Sequence, residues 1–173
     1  KIEPRTRWEK GLSVATYVAS SVWNAQFYRG LNLKVKADGK LVEGHYMVAI
    51  MCNISLYAGG LARLSPWSLL DDGVFELWLL EGNNLGDAIQ RFLDVVAGRH
   101  MESRYANCVP FHHLELESDQ PLFVQIDAEP VDYTRRNIEV TVLPRALNLM
   151  IPDQYPRRLF MDDPEREDPD WSD

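Results

Sequence analysis

The chain has 173 residues, of which 46% are hydrophobic and 25% charged, and its formal net charge is −8. That balance belongs to a globular protein of one domain, large enough to hide about 70% of its unfolded surface without disulfide or metal staples. The negative charge argues against nucleic acid as the main partner, no apolar run reaches about 18 residues, and no basic-then-apolar signal pattern opens the chain, so neither a membrane span nor secretion is expected.

Thr6 to Ala25 has helical spacing, with Trp8, Leu12, Ala15, Val18, Ala19 and Val22 on one face, although Gly11 and the β-branched residues weaken it. Leu31 to Ala37 alternates as a strand. Asp38-Gly39 is a strong hairpin signal, and Lys40 to Glu43 begins the return. His45 to Asn53 reads as a further, more continuously apolar strand. A loop from Ala58 to Pro66 leads to Asp71-Asp72-Gly73, after which Val74 to Leu80 is a predicted strand.

The second predicted helix is better marked. Asn83 or Asn84 caps it, Leu85, Ala88, Ile89, Phe92, Leu93 and Val96 form its apolar face, and Gly98 stands where a left-handed cap belongs. Strand-like segments follow around His112–Glu117, Leu122–Glu129, Asn137–Leu143 and Ala146–Met150. Two helices with seven or so antiparallel strands predict an α+β domain dominated by a β-sandwich. That domain is expected over 1–152. From Asp153 to Asp173 eight acids and three arginines carry −5 of the net charge, and the prolines there make 153–173 an expected acidic, disordered tail.

Four features are candidates for chemistry. In Leu122–Glu129, strand alternation would place Asp127 and Glu129 on one face, about 7 Å apart, near enough to act on one hydroxyl or one cation; a solvated strand end is the bland alternative. Asp71-Asp72-Gly73 has the composition of a tight turn and equally the oxygen-rich character of a hard-cation loop. Adjacent His112 and His113 would face opposite sides of a strand, which rules out joint metal ligation. Cys52 and Cys108 lack CxxC or His spacing, so two buried thiols in a reducing compartment are expected.

Asn53, Ala58-Gly59-Gly60, Ser65-Pro66 and Asp71-Asp72-Gly73-Val74-Phe75-Glu76-Leu77 follow one another in an order that resembles the C-terminal half of the diacylglycerol kinase and sphingosine kinase family of lipid kinases. Ala97-Gly98-Arg99-His100-Met101-Glu102 is similar to that family's post-helix segment. Gln125-Ile126-Asp127-Ala128-Glu129 stands where those kinases carry Asp-Gly-Glu, and Pro144-Arg145-Ala146-Leu147 with Ile151-Pro152 resembles their closing strand. The resemblance runs from about Glu9 to Pro152.

The family's plan is an N-terminal nucleotide-binding domain, holding ATP through a Gly-Gly-Asp-Gly-Thr loop, joined to a C-terminal β-sandwich that supplies lipid-binding surface and catalytic acids. No Gly-Gly-Asp-Gly-Thr occurs here and the sequence begins at Lys1, so a piece lacking the first domain is expected. Carried over by position, the resemblance implies that Asp127 is the general base toward the lipid hydroxyl and that Glu129 orients that hydroxyl or a Mg²⁺-bound water. It implies a structural Mg²⁺ at Asp72, with Asp71 and the Val74 carbonyl beside it, although residues 67–70 supply none of the upstream acid often found in relatives. Ala128 replaces the family's Gly; an extended backbone there would put it on the core face with Leu122, Val124 and Ile126. ATP, Mg²⁺ and a diacylglycerol-like or sphingoid lipid are the implied ligands. The implied setting is cytoplasmic with transient, peripheral membrane contact, and a homodimer is one further assembly. A pseudokinase that binds lipid without catalysis and an NAD kinase-like enzyme are the alternative readings.

Overall fold

A computed structural model describes residues 29–57, 62–127, 129–131, 135–150 and 159–161. The predicted Thr6–Ala25 helix, Ala128 and most of the acidic tail lie outside these residues. The centre of the molecule is a six-stranded antiparallel sheet ordered β10-β7-β1-β2-β5-β6, formed by β1 (Leu31–Ala37), β2 (Lys40–Cys52), β5 (Phe75–Glu81), β6 (Ala106–Phe111), β7 (His113–Ser118) and β10 (Asn137–Thr141). Two short ribbons accompany it: β3 (Leu56–Tyr57) with β4 (Ala62–Arg63), and β8 (Val124–Ile126) with β9 (Glu129–Val131). One α-helix, α1 (Leu85–Val96), and a 3₁₀ turn at Arg99–Glu102 complete the elements among the described residues. The class is α+β, with the sheet dominant.

Binary patterning explains the layers. β1 alternates without a break, burying Leu31, Leu33, Val35 and Ala37 and exposing Asn32, Lys34 and Lys36. Its buried face joins Leu77, Leu79, Val109, Phe111, Leu114 and Leu116 in the main core. β5 is apolar without alternation because it is covered on both sides. Leu77 and Leu79 enter the main core, whereas Trp78 and Leu80 meet Ala62, Leu64 and Val95 beneath β4 and α1.

Several sequence expectations change. The predicted strands at Lys40–Glu43 and His45–Asn53 are one strand, β2, bent by a register shift between Tyr46 and Val48, so that its first half pairs with β1 and its second with β5. β6 is a strand the sequence pattern missed because Pro110 interrupts it; as an edge strand it tolerates the lost N–H donor. Leu122–Glu129 is no continuous strand. Its regular part ends at Ile126, and the expected common face runs out there: Leu122 is buried, but Ile126 is 63% exposed. Ala146–Met150 forms no strand. Arg145, at φ +56°, turns the chain there, and Leu147, Leu149 and Met150 are exposed.

α1 begins and ends where its sequence says. Asn84 Oδ1 accepts the Asp87 N–H at 3.1 Å, and Asp87 Oδ2 accepts the Asn83 N–H at 2.8 Å. At the other end Gly98 is left-handed at φ +71° and donates to the Val95 carbonyl. Its orientation is the surprise. Ile89, Phe92, Leu93 and Val96 point outward, while Asp94 and Val95 are buried. Asp94 tolerates burial because Gln90, Arg91 and Arg99 all reach its carboxylate, at 2.9, 3.5 and 3.2 Å.

Candidate functional site

The predicted acids belong to two separate loops. Between β7 and β10 the chain makes an excursion whose stem is closed by the Ser118 N–H on the Arg136 carbonyl at 2.8 Å and the Leu122 N–H on the Arg135 carbonyl at 3.0 Å. Beyond the stem β8 and β9 pair in antiparallel register, with Ile126 opposite Glu129. Asp127 therefore opens a two-residue hairpin turn and takes φ +50°, a left-handed conformation that Asp tolerates better than most residues. Glu129 begins the return strand. The two acids flank a turn instead of sharing the face of one strand, and both are exposed. They line, with Ile126, Pro130 and Val131, an open concavity of about 620 Å³.

This arrangement suits a base acting on an incoming molecule. A carboxylate at a hairpin tip is approachable from solvent, and the ribbon and its stem fix its position. Nearby apolar surface is present: Phe123 is 93% exposed. The sequence located both acids but not the turn between them, because Leu122 to Glu129 alternates well enough to imitate one strand.

The second loop joins β4 to β5. Asp72 Oδ1 accepts the Val74 N–H at 2.9 Å, closing a small turn through Gly73 at φ +75°. A side chain at Gly73 would stand 3.2 Å from the Pro144 ring, which adds a steric reason for glycine. Asp71 Oδ1 accepts the Met161 N–H at 2.9 Å, and the Leu70 N–H donates to the Leu159 carbonyl at 2.9 Å, so residues 159–161 are tied to this loop. The Asn53 amide, with its nitrogen turned to the loop, donates to the carbonyls of Val74 and Leu69 at 3.0 and 2.9 Å.

These contacts decide the fit of a cation. One oxygen of each aspartate and the Val74 carbonyl already accept hydrogen bonds, residue 69 is a buried leucine, and no group of three His, Cys, Asp or Glu side chains placed to hold a metal occurs among the described residues. Mg²⁺ keeps several of its waters and takes one or two carboxylates. Here one oxygen of each aspartate and the Val74 carbonyl take part in the turn's own hydrogen bonds, so a bound ion would share its ligands with that turn.

Just beneath lies a pair the sequence reading passed over. Glu76 is 3% exposed and accepts a 2.7 Å hydrogen bond from the buried Ser68 hydroxyl. Burial pushes its pKa up to about 7 and the nearby Asp72 charge adds to the rise, while the Ser68 hydroxyl opposes it. The available signal was an acid inside the otherwise apolar run Phe75-Glu76-Leu77-Trp78-Leu79-Leu80. His112 and His113 each bond a surface partner of their own, Asp38 for the first and Thr141 for the second.

Comparison with known proteins gives a consistent set. Residues 3–151 match the family described as the YegS C-terminal NAD kinase beta sandwich-like domain. A probable lipid kinase YegS-like from Shewanella frigidimarina is 25% identical over 154 residues, covering 89% of this chain and 48% of that protein. A diacylglycerol kinase of Bacillus subtilis is 25% identical over 101 residues, covering 58% of this chain and 33% of its own length. The chain thus spans half or less of these curated relatives. Among solved structures, a putative diacylglycerol kinase from Bacillus anthracis strain Sterne superposes with a TM-score of 0.58 at 18% identity, over 74% of this chain and 43% of its own, which is a likeness of fold.

Proposed function

Because the chain belongs to the family of YegS C-terminal NAD kinase beta sandwich-like domains, we propose that it is the acceptor-side domain of an ATP-dependent lipid kinase acting on a diacylglycerol-like or sphingoid-base hydroxyl. The observation that carries the reading is Asp127, an exposed carboxylate at the tip of the β8–β9 turn, beside Glu129 and an open concavity. The names of the relatives, lipid kinase and diacylglycerol kinase, support the substrate class.

In this reading Asp127 accepts the hydroxyl proton as the lipid oxygen attacks the γ-phosphoryl group, and Glu129 orients that hydroxyl. Phosphoryl transfer depends on positioning and charge neutralisation, so a fixed carboxylate aimed at the acceptor is a sufficient contribution from this side. ATP and Mg²⁺ enter with a nucleotide-binding domain outside this sequence, and the Asp71–Val74 loop takes no part in the transfer. Among the described residues no helix is long and apolar enough to cross a membrane; the lipid is reached by peripheral, transient contact from the cytoplasm. Ala128 in place of the family's glycine favours one second reading, a lipid-binding regulator without catalysis.

The test is Asp127→Asn in the full-length protein, assayed with ATP, Mg²⁺ and a panel of diacylglycerols, sphingoid bases and NAD. Lipid phosphorylation should fall by about two orders of magnitude or more with the fold retained. Unchanged turnover would remove Asp127 from the mechanism, absence of transfer by the wild type would leave the regulator, and phosphorylation of NAD alone would overturn the lipid assignment.

A further inference from the structure

His45 on β2 stands opposite Asn32 on β1, with an acceptor at each of its ring nitrogens. Nε2 lies 2.7 Å from the Arg29 carbonyl oxygen, and Nδ1 lies 2.9 Å from Asn32 Oδ1. The carbonyl can only accept. The Asn32 amide, which could otherwise turn its nitrogen to the ring, is held the other way round: its Nδ2 donates to Asp119 Oδ2 at 2.7 Å, and turning it would set Asn32 Oδ1 against that carboxylate oxygen. A neutral imidazole has one N–H and one lone pair, so it would satisfy one contact and oppose lone pairs in the other. The imidazolium donates to both.

The surroundings admit that form. Gly30 is left-handed at φ +79°, and a Cβ there would lie 2.7 Å from His45 Nε2, so the missing side chain is what lets the ring reach the Arg29 carbonyl. On the far side the Asn32 N–H donates to Asp119 Oδ1 and the Asp119 N–H donates to the Asn32 carbonyl, both at 3.2 Å. The Asn32 amide thus stands between a positive ring and a negative carboxylate, with a charge-assisted hydrogen bond at each end. The other charges on this face of the sheet are Lys34, 3.3 Å from Glu43, and Glu117 opposite Lys34 on β7, so no unpaired cation meets the ring. From β5, Glu81 pairs with Tyr46, one residue out of step with His45, and Arg29 is exposed.

We propose that His45, Asn32 and Asp119 form a proton-operated clasp, closed while the His45 ring carries both protons and loosened when it gives one to solvent. The Arg29 carbonyl is fixed in the backbone, so the neutral ring keeps its Nε2–H there and Nδ1 is left facing Asn32 Oδ1. Rotation of the Asn32 amide relieves that opposition and breaks the bond from Nδ2 to Asp119. Histidine is the side chain whose charge changes between about pH 5 and 8, which sets the range in which the clasp works. It joins two places of consequence: Gly30, where the chain enters β1, and Asp119, where it leaves β7 for the excursion that carries Asp127. The other two ties at that root, Ser118 to Arg136 and Leu122 to Arg135, are backbone hydrogen bonds that do not titrate.

The inference is independent of the kinase reading and is tested on the whole chain, by NMR of ¹⁵N-labelled histidine and of amide exchange at pH 5.5 and 7.5. Exchange is read as protection factors, so that its intrinsic pH dependence cancels. At pH 5.5 both His45 ring nitrogens should carry protons, and from pH 5.5 to 7.5 protection of the Asn32 and Asp119 amides should fall by about fivefold or more. His45→Gln, whose amide does not titrate, should abolish the fall, and it separates His45 from Glu76, which titrates in the same range. Asp119→Asn frees Asn32 to turn its nitrogen to a neutral ring and should abolish the fall as well, with the fold retained. Equal protection at both pH values in the wild type, the same fall in either variant, or a singly protonated His45 ring at pH 5.5 overturns the clasp.

Discussion

Asp38 and His113, 75 residues apart, exchange two hydrogen bonds: the Asp38 N–H donates to the His113 carbonyl at 2.9 Å, and the His113 N–H donates to Asp38 Oδ1 at 2.8 Å. The second carboxylate oxygen accepts the His112 N–H at 2.8 Å and faces its Nδ1 at 3.1 Å. One turn residue of the β1–β2 hairpin thereby fixes the β6–β7 corner, and does so at φ +46°. Desolvation works to raise the Asp38 pKa, but the hydrogen bonds from His112 and His113 and the His112 charge together hold it below the ordinary value. Its contribution to stability is therefore present above the ordinary carboxylate pKa and lost as pH falls through the lowered one.

Asp38→Ala should cost about 1–2 kcal/mol, from the unsatisfied N–H groups and the left-handed backbone together. Asp38→Asn, which tolerates that conformation and keeps one acceptor, should recover part of the loss. Urea melts of the three proteins at pH 7 decide it, and equal midpoints for wild type and Ala would show that water serves the corner as well as Asp38 does.

Glu76 gives an opposite pH dependence. The folded chain holds its proton up to about pH 7, whereas the unfolded chain releases it near 4.5, so between these values the native state binds more protons and stability falls as pH rises. Glu76→Gln removes the titration while leaving an acceptor for Ser68. The variant should match the wild type near pH 4.5 and exceed it on the order of 2–3 kcal/mol at pH 8. Denaturation at the two pH values provides the comparison; a gain of the same size at both would mean that the charge is not what burial penalises.

What was legible in the sequence follows from how local each cause is. The alternation of Leu31–Ala37, the Asp38-Gly39 turn, the Asn84 cap and the left-handed Gly98 each depend on a few neighbouring residues, and each stands as read. The joining of two predicted strands into β2 depends on partners on either side of a bulge, and β6 depends on being an edge, which no window of sequence reveals. At the candidate site the identities of Asp127 and Glu129 were legible, but the turn between them was not. Ile126 pairs with Glu129 across two residues, a register that period-2 hydrophobicity conceals. The orientation of α1 was hidden for a similar reason: periodicity locates an apolar face without saying whether Asp94 has three partners waiting on the other side.

Cys52 and Cys108, expected to be buried thiols, are half-buried and unpaired with each other. Burial pushes the Cys52 thiol up to about 12, helped by the Glu76 charge, and raises Cys108 further. Since the thiolate is the reactive form, both should resist iodoacetamide at pH 8 in the native chain and react fully in denaturant. Rapid modification of either one in the native state would show that its strand opens locally.

The Asp71–Asp72–Gly73 loop yields the last prediction, and it concerns an expected absence of effect. One oxygen of each aspartate is engaged by the Val74 or Met161 N–H, and the carbonyls at Leu69 and Val74 by Asn53. A cation would have to compete with contacts that already hold the turn. Millimolar Mg²⁺ or excess EDTA should therefore leave the Tm of this chain within about 1 °C, since ligand at 100 times its Kd would instead add about 2.7 kcal/mol. Asn53→Ala removes the loop's donor to two carbonyls and should lower stability by about 1–3 kcal/mol with or without the metal. A Tm rise of several degrees with Mg²⁺, abolished by Asp72→Asn, would show that the loop opens to a metal and that its self-closed form is only the resting one.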